Sequence, residues 1–87
     1  MTIEKAADAF LETELDGELV LLNLQNGSFH AIKDTGLAIW RLIDGQRDAV
    51  AIQQEIASRY NVDDETCRTK VNQFLKTLAD AGFVKDA

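Results

Sequence analysis

Cys67 and His30 are the only cysteine and histidine in the chain. They are the first places to look for nucleophilic, acid–base or metal chemistry. Neither stands in a motif that would activate it. A catalytic cysteine needs a base held beside it, and a metal site needs several ligands at set spacing. His30 falls in a short predicted strand, with no cysteine or carboxylate placed near it by a recognised pattern. It reads as a half-exposed strand residue. Cys67 lies on the apolar arc of a predicted helix, where a free thiol behaves as a small hydrophobe. Trp40 stands at helical spacing from Leu37 and Ile43, which marks a core residue rather than a stacking platform. The acids Asp63, Asp64 and Glu65 suit a helix N-terminus. There is no glycine-rich phosphate loop. We expect no catalytic residue, no metal ligand and no cofactor.

What remains is binding. Eighty-seven residues with 46% hydrophobic content and no proline fit one small globular domain, residues 1–87. A single cysteine allows no internal disulfide. The first ten residues hold no apolar run, and nothing approaches the ~18 residues of a membrane span. A cytoplasmic protein with no membrane partner is therefore expected. The formal net charge of −6 repels phosphate backbones and weighs against nucleic acid as a partner. Within that acidity, residues 66–79 carry Arg68, Lys70 and Lys76 and no acid. Such a stripe fits a solvated helix face, an acidic partner, or the recognition helix of a DNA-binding motif.

The elements that would carry these residues follow from periodicity. Residues 9–15 (AFLETEL) alternate loosely, with Leu11, Thr13 and Leu15 on one face. Asp16-Gly17 is a hairpin signal. Residues 18–24 (ELVLLNL) are apolar on both faces, as in a central or doubly covered strand. Asn26-Gly27 marks a second turn, and Ser28–Ile32 form a third strand. Asp34, Asp48 and Asp63 are predicted N-caps of three helices. The first ends at Asp44-Gly45, the second at Tyr60-Asn61, the third near Ala81 with Gly82 closing it. Cys67, Val71, Phe74, Leu75 and Leu78 share one arc of the third helix, with Lys70 at its edge. The expected fold is α+β: a three-stranded antiparallel sheet followed by three helices, resembling a winged helix-turn-helix.

The stretch LLNLQNGSFHAIKDTGLAIWRLIDG, residues 21–45, resembles the PqqD-like family. It places Leu21-Leu22, Gly27, Phe29, Ile32, Gly36, Ile39-Trp40 and Asp44-Gly45 in the family's order. Ile52, Tyr60, Val71, Phe74-Leu75, Leu78 and Gly82-Phe83-Val84 continue it, so the likeness covers about residues 12–84. The resemblance implies a RiPP recognition element: a non-catalytic domain that binds the leader segment of a ribosomally made precursor peptide. The leader would add as a strand to the third strand, in a groove closed by the third helix. The residues so implicated are Ser28, Phe29, His30, Ala31 and Ile32 on the strand, and Cys67, Lys70, Val71 and Phe74 on the helix. The partner would be a separate maturation enzyme, a leader peptidase or a radical SAM-type enzyme. Leu24-Gln25-Asn26-Gly27 replaces the Pro-Glu-Gly element of the pyrroloquinoline-quinone branch, which points to lasso-peptide pathways or an orphan pathway. Lys70-Val71 stands where family members often carry Asp-Val. The reading from another class is a winged-helix DNA-binding regulator. Ser28–Ile32 carry no charge and no proline, so the edge is open to strand addition, or to a homodimer paired through it.

Overall fold

The computed structural model describes residues 2–86. In chain order it has β1 (Ile3–Lys5), a short 3-10 turn (Ala7–Ala9), β2 (Phe10–Leu15), β3 (Glu18–Asn23) and β4 (Phe29–Ile32). Helices α1 (Thr35–Leu42), α2 (Ala49–Tyr60) and α3 (Asp64–Asp80) follow, and β5 (Val84–Asp86) ends the described chain. The expected meander is present as a sheet of order β2-β3-β4, antiparallel throughout. A second sheet, β1 with β5, was not expected. It pairs Ile3 with Asp86 and Lys5 with Val84, clasping the two ends of the chain together.

The β2–β3 hairpin turns on Asp16 and Gly17, whose φ angles are 54° and 78°. Two successive positive φ values match the right-handed twist of the flanking strands, and glycine takes the second without steric cost. The β3–β4 connection is longer than a two-residue turn. Ser28 lies outside β4, correcting the expected strand start. Its N–H and hydroxyl both donate to Asn26 Oδ1 at 2.9 and 2.7 Å.

Which faces are buried is the main correction. In β2 it is Phe10 that enters the core, while Leu11 and Leu15 are exposed. In β3, Leu19, Leu21 and Asn23 point inward. Val20 and Leu22 lie on the opposite face, and nothing in the described residues covers that face. The strand is central in its sheet, and the helices cover only one of its two apolar faces.

Asp48 caps α2 by accepting from Ala51 N–H at 2.8 Å. Asp63 caps α3, accepting from Thr66 N–H at 2.8 Å and from the Thr66 hydroxyl at 2.9 Å. Asp34 departs from expectation. Its side chain makes no cap hydrogen bond, and its backbone sits at φ 55° in the tight passage from β4 into α1. It serves as a bend, and with ψ at −128° it lies outside the left-handed helical region that Asp tolerates, so the residue is strained there.

Trp40 is fully buried, as its spacing required. Phe10 meets it edge-on at 5.4 Å between centroids, and Phe83 meets Phe10 at 5.8 Å. Such edge-to-face pairs add stabilisation beyond burial alone. The indole N–H donates to Glu12 Oε2 at 3.3 Å. Asn23 is the buried polar residue of the core. Its amide donates to the Ala81 carbonyl at 2.8 Å, and its Oδ1 accepts from Gln25 N–H at 2.8 Å and Asn26 N–H at 3.2 Å. That side chain joins the loop before β4 to the end of α3.

Candidate functional site: the open edge of β4 and the groove beside it

β4 hydrogen-bonds to β3 on one side only. The Asn23 N–H donates to the Ser28 carbonyl at 2.8 Å, which makes Asn23 and Ser28 a hydrogen-bonded pair. Such pairs alternate along an antiparallel ladder. His30 and Ile32 therefore spend their backbone groups on β3, opposite Leu21 and Leu19. Phe29 and Ala31 direct N–H and C=O to the open edge. Side chains alternate the other way. His30 and Ile32 face inward, His30 edge-on to Phe83 at 5.3 Å, while Phe29 and Ala31 point to the outer face and are exposed.

At the end of β4 the chain passes directly into α1. A Cβ on Gly36 would stand 3.2 Å from Ile32 Cγ2 and 3.3 Å from the Phe74 ring. Glycine leaves room for α3 at the end of the strand; an added Cβ would have to push the Ile32 methyl or the Phe74 ring back by a few tenths of an ångström. Next to that seam is a cavity of about 290 Å³. Gly36 and Ile39 of α1 line it, with Ile56 and Tyr60 of α2 and Cys67, Lys70, Val71 and Phe74 of α3. Thr35, Val62 and Thr66 complete its wall.

The four helix residues singled out from the sequence thus meet in one cavity, in different roles. Val71 and Cys67 are buried at its base, Phe74 is half-buried at the seam, and Lys70 is exposed at its rim. None of the five residues from 28 to 32 lines the cavity; Phe29 to Ile32 form the edge beside it. Ser28 belongs to the turn. Residues that sequence reasoning left out are Thr35, Gly36, Ile39, Ile56, Tyr60, Val62 and Thr66. Gly36, Ile39, Ile56 and Tyr60 look like ordinary cap and core positions in sequence, and Val62 lies in a three-residue linker. The exposure of Tyr60 and Val62 is the one signal that separates them from core.

The Cys67 thiol has a raised pKa. Burial is the main cause, with Asp64 and Asp63 adding to it. Its Sγ–H donates to the Gln53 carbonyl at 3.4 Å, so the group is held as a neutral thiol. Among the described residues no three His, Cys, Asp or Glu side chains stand together as a metal cluster, and no helix is long and apolar enough to cross a membrane. The basic stripe of α3 is not one continuous surface. Lys76 is paired with Asp80 at 2.9 Å, just past the acid-free segment, while Lys70 belongs to the cavity rim.

The architecture is thus a three-stranded meander with an uncharged edge at β4, followed at once by a three-helix wall that leaves an apolar cavity near the end of that strand. The family model for coenzyme PQQ synthesis protein D (PqqD) matches residues 18–84, and the chain belongs to that family. Two solved structures resemble it along nearly their full lengths. One is TbiB1 in complex with the TbiA(beta) leader peptide, at 30% identity and a TM-score of 0.82, covering 100% of this chain and 98% of that one. The other is a lasso peptide synthetase B1 complexed with its leader peptide, at 16% identity and a TM-score of 0.84, covering 98% and 99%. The second likeness is one of fold. No curated protein matches the chain.

Proposed function

We propose that this protein is a RiPP recognition element: a single peptide-binding domain that takes up the leader segment of a precursor peptide and presents it to a separate maturation enzyme. The observation that carries the reading is the pairing of an uncharged open edge at β4 with an apolar cavity at its end. Backbone groups of Phe29 and Ala31 supply the hydrogen bonds of an added strand. The cavity supplies selectivity for alternate side chains. The structures of TbiB1 and of the lasso peptide synthetase B1, each holding a leader peptide, support the same reading for a chain of this fold.

The peptide-binding residues are then Ser28 to Ile32 along the edge, and Cys67, Lys70, Val71 and Phe74 on α3. Bulky apolar leader side chains, two or more residues apart, seat against Val71 and Phe74. An acidic neighbour meets Lys70. The protein is not itself an enzyme and needs no cofactor. It works in the cytoplasm beside a leader peptidase or a radical SAM-type enzyme, in a lasso-peptide or orphan pathway. A DNA-binding role is disfavoured by the charge of −6, by burial of the apolar face of α3, and by the ion pair that occupies Lys76.

The test is fluorescence anisotropy with the labelled leader segment of a short precursor peptide identified by searching the neighbouring genes. The wild-type chain should bind it saturably. Ala31→Pro removes an outward donor and no hydrogen bond to β3, so the variant should fold and bind at least about tenfold more weakly, ~1.4 kcal/mol. Unchanged affinity in the folded variant sinks strand addition at this edge. Sub-micromolar, sequence-dependent binding of duplex DNA at physiological salt would restore the winged-helix reading.

A further inference from the structure

Most large apolar side chains left exposed fall into two groups. Tyr60 and Val62 belong to the cavity. Leu11, Leu15, Leu22, Leu24 and Phe29, exposed by 58, 68, 36, 52 and 71%, belong to the β2–β3–β4 sheet and the turn after it, away from the helices. A contiguous apolar face of this kind marks an interface rather than ordinary surface, and the peptide reading uses only the backbone of Phe29 and Ala31 within it.

The register shows its shape. Leu11, Leu22 and Phe29 lie side by side across the three strands, as do Thr13, Val20 and Ala31 one pleat further along. The first row is a ridge of bulky side chains and the second a trough of small ones. Two copies stacked face to face about a twofold axis parallel to these rows, midway between them, would set each ridge into the other's trough. The same operation brings Leu15, beyond the trough, over the row beyond the ridge, where Ala9 stands opposite it and Leu24 is one strand away. A surface that is its own complement in this way is what an isologous interface requires, and two sheets can approach to ~10 Å when their inner faces interdigitate. The face includes one acid, Glu18, although the chain carries −6, so most of the mutual repulsion is held away from the contact. Five such side chains amount to roughly 500 Å² per copy, or about 1,000 Å² for a pair, at the lower limit for a specific interface.

We propose that the outer face of the β2–β3–β4 sheet is a self-association surface, through which two copies form a weak, salt-strengthened dimer by ridge-into-trough stacking. The site is the outer face of the sheet and meets the open edge of β4 only through the side chains of Phe29 and Ala31; the inference does not depend on the peptide reading.

Analytical ultracentrifugation of the full chain tests it. The weight-average mass should rise from one chain toward two between about 10 µM and about 1 mM, and at lower concentration in high salt, where screening relieves repulsion between acidic copies. Leu11→Glu and, independently, Leu15→Glu lie on exposed positions of β2, so circular dichroism should show them folded. Each should weaken the dimer at least about tenfold. Thr13→Phe fills the trough with apolar surface; it should weaken the dimer if ridge meets trough, and strengthen it if association is non-specific. A chain that stays monomeric at about 1 mM in both salts overturns the proposal and leaves the face to a different protein. Dimerisation unchanged in folded Leu11→Glu and Leu15→Glu also overturns it and points to pairing at the β4 edge.

Discussion

At the β2 edge of the sheet, Glu12 and Glu14 stand on the face turned toward the helices. One accepts from the Trp40 indole and the other pairs with Arg41. At the β4 edge, four residues, FHAI, carry no carboxylate and no ammonium. Both strands hydrogen-bond to β3 alone, so both leave backbone groups unpaired along their outer sides. Inward-pointing charge is a known way to spoil an edge for further pairing. A peptide laid along β2 would have to desolvate carboxylates already engaged with α1. One laid along β4 would meet backbone and no carboxylate on the strand, with the cavity at the strand's end. The same sheet thus has one guarded edge and one left open.

The largest effect should come from loosening the part that fixes where the receiving edge begins. Asn23→Ala removes three hydrogen bonds from a buried position and strands the Ala81 carbonyl. Urea unfolding should show a loss of about 2–3 kcal/mol, with leader affinity falling as the β3–β4 loop comes free. A loss under about 0.5 kcal/mol would mean that water replaces the amide.

Next comes the same substitution at the two edges. In the alternation of the ladder, the Glu14 amide points outward from β2 as the Ala31 amide does from β4. Ala31→Pro should cost at least about tenfold in leader affinity, and Glu14→Pro less than about twofold. Equal losses would erase the contrast between the edges.

Charge at the cavity rim is a smaller matter. An exposed ion pair contributes only ~0.2–1 kcal/mol. Lys70→Glu should weaken leader binding modestly, and more at low salt than at high salt, by calorimetric titration. A truncation of Phe74 that leaves the chain folded should cost more. Parent-like binding by Lys70→Glu at low salt would return Lys70 to ordinary solvated surface.

The smallest effect concerns the start of α3, which carries the groove wall. The Thr66 hydroxyl and backbone N–H hold the Asp63 carboxyl below its ordinary range. Its folded pKa is thus depressed, so the cap contributes fully above the unfolded value of about 4 and is lost as pH falls through the lower folded value. The stability gap between the parent and Asp63→Ala should be constant near neutrality and shrink below about pH 4, followed by helical circular dichroism. A gap that persists at pH 2 would assign the effect to helix propensity instead.

Local chemistry made much of this molecule legible. Asp16-Gly17, Asp48, Asp63 and Gly82 act as their types require, because hairpin turns and helix ends are satisfied within a few residues of chain. The apolar arc of α3 was readable for the same reason: a 3.6-residue period is a local property. The β1–β5 clasp was not, since three-residue strands of mixed exposure have no period to detect. The cap expected at Asp34 failed because the abrupt passage from β4 into α1 set that residue's backbone first.

The sequence by itself determined the order and type of the main elements, the absence of charge and proline along residues 28–32, and, through the pattern of residues 21–45, the family. Only the tertiary structure decided which face of each strand is core. Period two says that faces alternate, but β3 is apolar on both, and which side is buried depends on where the helices land. Tertiary structure alone also brought Gly36, Tyr60, Val62 and Lys70 to one cavity at the end of β4. Those residues come from three helices and a linker, and no spacing along the chain encodes a distance across it.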